Sequence, residues 1–169
     1  MGWLGRAIAA VAALFSVAAC DPTGKPYEDV RLAQLKAGQS TEQDIVRLFG
    51  APFAVRTSAE GRGLVYPLGP EGAHTLLLKI GQDGRYQGRE DLLTRANLGR
   101  VARGMSREEV AALLGPPGYV QGYALKQQTA WEWRFVDGME TRMLVVMFDS
   151  DGRVVGSSVE EDPRRLGGG

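Results

Sequence analysis

Apolar positions along the chain fall into three regimes. Ala7 to Val17 is an almost unbroken apolar run, and Asp21 to Pro26 has no period at all. From Tyr27 onward, apolar residues recur first at helical and then at strand spacing, and the whole pattern occurs twice. The first pass contains Leu35, Gly38, Thr41, Ile45, Leu48, Phe49, Gly50 and Pro52; the second contains Val101, Gly104, Ser106, Val110, Leu113, Leu114, Gly115 and Pro117. Thr41 aligns with Ser106, Ile45 with Val110, Leu48 and Phe49 with Leu113 and Leu114, and Gly50 and Pro52 with Gly115 and Pro117, with one extra residue before Thr41. Each segment predicts a short helix. A hydroxyl residue caps its start, acids fill its first turn, one face is apolar, a glycine ends it and a proline follows. Asp44 and Glu109 stand where a capping-box carboxylate returns a bond to the cap.

A shorter periodic stretch precedes each helix, Tyr27 to Leu35 and Thr94 to Val101, with Leu32 matching Leu98, and predicts a companion helix in each copy. Strands are expected after each capped helix. Leu64-Val65-Tyr66 answers Trp131-Glu132-Trp133, and Leu76 to Ile80 answers Leu144 to Phe148. Alternation puts Trp131, Trp133 and Phe135 on one face, which reads as core packing. Both copies then turn at Asp-Gly, Asp83-Gly84 and Asp151-Gly152, and enter a last strand.

The expected fold class is therefore α+β: two tandem units, each with two helices and a three-stranded antiparallel sheet, helices on one sheet face. The first unit spans 27–90, the second 91–162, and 163–169 is a charged, glycine-ended tail expected to be disordered. Units this short bury little core alone, so the halves are expected to lean on each other, as one longer sheet in one arrangement. Val145 and Met147 lie opposite Leu144, Val146 and Phe148 on their strand, so the second sheet face is partly apolar. Such a face is either buried against the other repeat or covered by a partner.

Residues 1–19 read as a signal peptide: Arg6, the apolar run, then small residues before Cys20. The run is shorter than the roughly 20 residues of a membrane-spanning helix. Val17-Ala18-Ala19-Cys20 resembles the lipobox of bacterial lipoproteins, and Cys20 is the only cysteine of the chain. Cleavage before Cys20 and acylation of its thiol are expected to hold the protein on a membrane. Residues 20–26 form a tether of at most about 20 Å, at roughly 3.5 Å per extended residue. With its single cysteine acylated, the chain has no internal disulfide.

The second copy reads Gly-Met-Ser-x-Glu-Glu-Val-x-x-Leu-Leu-Gly-x-Pro from Gly104, then Trp-x-Trp-Arg-Phe from Trp131, then Phe-Asp-x-Asp-Gly-Arg-Val from Phe148. It resembles the SmpA/OmlA (BamE-like) domain of outer-membrane lipoproteins, closely from Val101 to Val159 and more loosely from Leu35 to Arg85. That resemblance implies a periplasm-facing unit that acts through protein contacts rather than catalysis. It also implies a role in outer-membrane protein assembly or envelope integrity, with the β-barrel assembly machinery as partner. The tandem arrangement is also similar to the β-lactamase inhibitor proteins, which implies the alternative of a periplasmic inhibitor gripping one enzyme with a concave sheet. The resemblance implies the outer membrane, while Asp21 after the cysteine leaves the inner membrane open.

The chain carries 20 basic and 20 acidic residues, and loss of residues 1–19 removes only Arg6, for a mature net charge of −1. This balance points neither to nucleic acid nor to an anionic surface as partner. Candidate chemistry is thin. His74 is the single histidine and reads as a loop or strand-edge residue, with no second histidine for zinc. Asp149-Ser150-Asp151-Gly152-Arg153 with Glu160 mimics a calcium loop only superficially, because Arg153 and Val154 stand where an oxygen ligand and glycine are wanted. Gly61-Arg62-Gly63 has neither the spacing nor the following helix of a phosphate loop. The expectation is a chain with no catalytic residue, no cofactor, no metal and no small-molecule substrate, whose one functional site residue is the lipid-bearing Cys20.

Overall fold

The computed structural model describes residues 29–68 and 72–163. Cys20, the export segment, the tether and the tail beyond Pro163 lie outside the described residues. No described helix is long and apolar enough to cross a membrane.

The chain builds the same unit twice, and the same local chemistry starts each one. Helix α1 spans Glu42–Phe49. At its start the Asp44 backbone N–H donates to Thr41 Oγ1 (3.3 Å), and the Asp44 carboxylate accepts the Thr41 N–H (2.9 Å). In the second unit, Ser106 and Glu109 make the same reciprocal pair, at 3.2 and 2.7 Å, ahead of the helix Arg107–Leu114. Each helix ends at a glycine, Gly50 and Gly115, both with φ of 80° and ψ near the extended limit, a region essentially reserved for glycine. One apolar stripe per helix faces the core, with Ile45 and Val110 fully buried. Burying each such side chain contributes roughly 1.5–3 kcal/mol.

The companion helices are shorter than the apolar spacing suggests. In the first unit only a 3-10 turn, Leu32–Gln34, is present among the described residues; in the second, a single helical turn, α2, covers Arg95–Leu98, which makes Arg107–Leu114 the third helix, α3. In each piece one leucine carries the anchoring, Leu32 and Leu98, both buried.

Each unit holds four strands, where the sequence pattern indicated three. The first sheet runs β1 (Ala54–Ser58), β2 (Gly61–Leu68), β3 (His74–Gly81) and β4 (Tyr86–Asp91). The second runs β5 (Tyr119–Tyr123), β6 (Gln128–Asp137), β7 (Glu140–Phe148) and β8 (Val154–Glu161). Both are antiparallel meanders in chain order, and they are separate sheets rather than one long one. The additional strands, β1 and β5, are short edge strands with mostly exposed side chains, so they carry no apolar alternation. The repetition reaches into the irregularities. A register shift falls at Lys79/Ile80 in one sheet and at Met147/Phe148 in the other, and isolated bridges join Thr41 to Arg85 and Ser106 to Arg153.

Each unit has its own core on the helix side of its sheet. Ile45, Leu64, Tyr66, Leu76, Leu78 and Ile80 form the first; Val110, Leu114, Trp133, Phe135, Val146 and Phe148 belong to the second. Trp131, Trp133 and Phe135 do share the core face, and Trp131 stacks at 5.9 Å on Trp133 and 5.0 Å on Phe148. In both units an aromatic residue of the second strand ties the sheet to the helix end. Tyr66 Oη donates to the Gly50 carbonyl at 2.9 Å, and Trp133 Nε1 donates to the Gly115 carbonyl at 3.3 Å.

Candidate functional site

With helices packed on one face of each sheet, function turns on what happens to the other two faces. On the first sheet that back face carries Ala54, Arg56, Gly63, Val65, Thr75, Leu77, Lys79 and Glu90, as the strand register requires. The second unit leans on it. Gly115, at the end of α3, lies so close to Thr75 that a Cβ there would come within 2.5 Å of Thr75 Cγ2. Ala112 and Leu113 of α3 face Leu77 and Leu92 across a cleft of about 440 Å³.

The junction is set by Asp91 at the end of β4. Its Oδ1 accepts the backbone N–H groups of Thr75 (3.2 Å) and Leu93 (3.0 Å), and its Oδ2 lies 2.5 Å from His74 Nδ1. The strand therefore leaves the first sheet at a fixed angle, and Leu93 enters the second core. His74, the first residue of β3 and buried, serves as part of this clamp.

Among the described residues, no helix packs on the equivalent back face of the second sheet. Register places Tyr119, Gln121 and Tyr123 of β5, Ala130 and Glu132 of β6, Met143, Val145 and Met147 of β7, and Ser158 of β8 on this side. Tyr119 is 56% and Tyr123 42% exposed, and Leu125, at the turn that follows β5, is fully exposed. Val145 and Met147 are half-buried, so they neither join the core nor stand free in water. Position by position, Tyr119 stands where the first sheet has Ala54, and Met147 where it has Lys79. One corner of the face is polar: Arg134 makes two bonds, 2.7 and 3.2 Å, to the carboxylate of the buried Asp162.

The calcium-like run is accounted for by its turn. Asp149 Oδ1 accepts the N–H groups of Asp151 (3.0 Å) and Arg153 (2.9 Å), as the side chain of a tight hairpin does. Among the described residues, no three His, Cys, Asp or Glu side chains converge as a metal site. Gly61 and Gly63 lie in β2 rather than in a loop before a helix.

No protein-family model and no curated protein matches the chain. Similar solved structures include one described as the osmotically inducible lipoprotein OsmE, 28% identical over 44% of this chain and 79% of its own, with a TM-score of 0.34. A DUF4309 family protein (YjgB) from Bacillus subtilis subsp. subtilis str. 168 is 17% identical over 76% of this chain and 82% of its own, at 0.29. A protein from Streptococcus mutans described as a β-lactamase inhibitor is 12% identical over 80% and 98%, at 0.28. At such TM-scores the superposable part is too small to transfer a role, so function rests on the chain's own surface.

Proposed function

We propose that this chain is a non-enzymatic, lipid-anchored envelope protein. It is held on the outer membrane through Cys20 and serves as an accessory or scaffold component of outer-membrane protein assembly or envelope integrity. The back face of the second sheet is its working surface. The observation that carries this reading is the asymmetry between the two back faces: the first sheet's is backed by α3 of the second unit, while on the second sheet's no described helix packs, and it carries exposed Tyr119 and Tyr123 beside Val145 and Met147. Exposed tyrosines around half-buried aliphatic side chains match the composition of protein-binding surfaces, where a rigid aromatic contributes large contact area at small entropic cost. The lipobox at Cys20 and the short tether keep that face within a few tens of ångströms of the membrane.

The rival reading, an inhibitor gripping an enzyme with one concave face spanning both units, needs the two back faces to be continuous. The separation of the two sheets and the seat of Gly115 on Thr75 argue against it.

The test is an affinity pull-down of the lipidated full chain from gently solubilised envelope, run beside Cys20→Ala and the face variant Val145→Asp/Met147→Glu. Stoichiometric capture of barrel-assembly subunits by the unaltered chain, lost in both variants, is the expected result. Capture that survives Val145→Asp/Met147→Glu, or recovery of one periplasmic enzyme instead, overturns the proposal. A thermal melt of the face variant that matches the parent excludes misfolding as the cause of lost capture.

A further inference from the structure

The back of the first sheet is only partly occupied by α3, and what remains is a groove. Two adjoining cavities of about 440 and 400 Å³ lie along it, and Arg56, Leu77 and Glu90 line both, so they form one trough. At one end its wall is α3, through Ala112 and Leu113. At the other it runs over Gly61 and Gly63, with the Leu77 side chain lying beside Gly63. Leu77 packs against Gly63, where a Cβ would meet Leu77 Cδ1 at 2.6 Å and push that side chain further into the trough.

The charges in this trough are unevenly satisfied. Glu90 is held by Lys79 Nζ at 2.8 Å, and Glu109 is engaged by the Ser106 backbone N–H at 2.7 Å. The two arginines are not matched in the same way. Arg56 makes no hydrogen bond and no ion pair within 4 Å among the described residues, although it is half-buried, and Arg100 has only a 3.3 Å contact to Asn97 Oδ1. Burial depresses the Arg56 pKa, with the nearby Glu90 carboxylate partly opposing it. A guanidinium stays charged in such a site, so its lost hydration is best recovered by an incoming anion. The second sheet has none of this: register puts Gln121 where the first has Arg56, Ser158 where it has Glu90, and Ala130 where it has Gly63.

The geometry points to a carboxylate-binding groove on the back of the first sheet, anchored by Arg56 with Arg100 as second cation, that takes an extended, acidic peptide segment of a partner protein. The guanidinium fork pairs with one Asp or Glu side chain through two parallel N–H···O bonds. Apolar residues flanking that acid pack on Leu77 and Leu113. An open trough suits an extended backbone, which gains contacts along its length, better than a small molecule, which needs most of its surface enclosed. This site lies on a different sheet from the face assigned above and stands or falls independently of it.

Fluorescence anisotropy on the full chain tests this with two labelled peptides, GSLELSG and its uncharged counterpart GSLQLSG. The glutamate peptide is expected to bind at least tenfold more tightly than the glutamine one. Arg56→Gln is expected to erase that difference, with Arg56→Lys retaining part of it, because a lysine keeps the charge but loses the fork. Equal affinity of both peptides for the parent chain overturns the proposal. So does discrimination that persists in Arg56→Gln, or free succinate binding as tightly as the glutamate peptide. A parent-like melting curve for Arg56→Gln keeps the comparison between folded proteins, and an unfolded Arg56→Gln would be replaced by Arg100→Gln, for which a several-fold loss limited to the glutamate peptide is expected.

Discussion

Gly50 and Gly115 allow the contact between the two units to be isolated in a single comparison. They end equivalent helices with φ of 80° and ψ of −165° and −168°, so an alanine at either pays the same backbone strain. That strain is about 1–3 kcal/mol for a non-glycine residue in this region. Their surroundings differ completely. A Cβ on Gly50 meets nothing within 4 Å, whereas one on Gly115 lands 2.5 Å from Thr75 Cγ2 and 3.5 Å from Thr75 Cβ. Thr75 is 2% exposed, near the start of β3 on the first sheet's back face, so its side chain is closely surrounded.

Overpacking of this kind typically costs about 1–3 kcal/mol. Gly115→Ala is therefore expected to destabilise by roughly 1–3 kcal/mol more than Gly50→Ala. The measurement is urea unfolding of the full chain followed by far-UV circular dichroism, which reports the helices and sheets of both units. A second arm closes the cycle. Thr75→Ser removes Cγ2 while keeping the hydroxyl, so Gly115→Ala in a Thr75→Ser background should recover at least half of the extra loss. Equal destabilisation by Gly50→Ala and Gly115→Ala would refute the seat of the second unit on the first sheet, and an additive double mutant would show that Thr75 is not the group being struck.

Three further expectations follow from the repeated unit. Tyr66→Phe deletes the 2.9 Å bond to the Gly50 carbonyl with almost no change of shape, so a loss of about 1 kcal/mol in urea unfolding is expected, and no loss would mean the bond is dispensable. The Thr41 backbone N–H, followed by its hydroxyl, holds the Asp44 carboxyl below its ordinary pKa. A depressed acid stabilises the fold fully above its unfolded pKa of ~4 and stops doing so as pH falls through the lower folded value. Accordingly, the stability gap between the parent and Thr41→Ala should narrow below about pH 4, and NMR titration should show Asp44 returning toward an ordinary carboxylate in Thr41→Ala; a gap independent of pH contradicts this. Finally, Asp162→Ala removes two charge-assisted bonds from the largely buried Arg134 guanidinium and is expected to cost about 3 kcal/mol, with Asp162→Asn recovering part of it; a loss under about 1 kcal/mol would mean that this ion pair contributes little.

What the sequence made legible was whatever is decided locally. Thr41 with Asp44 and Ser106 with Glu109 are capping boxes because each pair acts across one helical turn, and the hairpin turns form because an acid, Asp83 in one and Asp149 in the other, accepts the backbone N–H two residues on. Strands with a buried face announced themselves through alternation. The strands β1 and β5 did not: Val55 and Val120 are about half exposed at sheet edges, so no burial pattern marks them. The Tyr66 and Trp133 bonds to helix-ending glycines were detectable in principle, since an aromatic residue occupies the same place in both copies, but an aromatic at that position reads equally well as plain core. Arg56 gave no signal at all. Its meaning comes from a neighbouring helix roughly 50 residues further along, and no short-range pattern encodes that.

The arrangement of the two units also explains why near-identical folds present such different surfaces. A unit that carries helices on only one sheet face always leaves a second face to be dealt with, and stacking a copy deals with it for the unit the copy packs on. In this chain the inner back face has become polar and grooved where α3 does not reach, with Arg56, Lys79 and Glu90 around Gly61 and Gly63. The back face of the second sheet has moved the other way. Where a solvated sheet face would favour charged and polar side chains, it presents Tyr119, Tyr123, Val145 and Met147. Those residues are not required by the core, because the Trp133 and Phe148 side of the same strands is complete without them. On the function proposed above, a partner covers them and supplies to the second sheet what α3 supplies to the first.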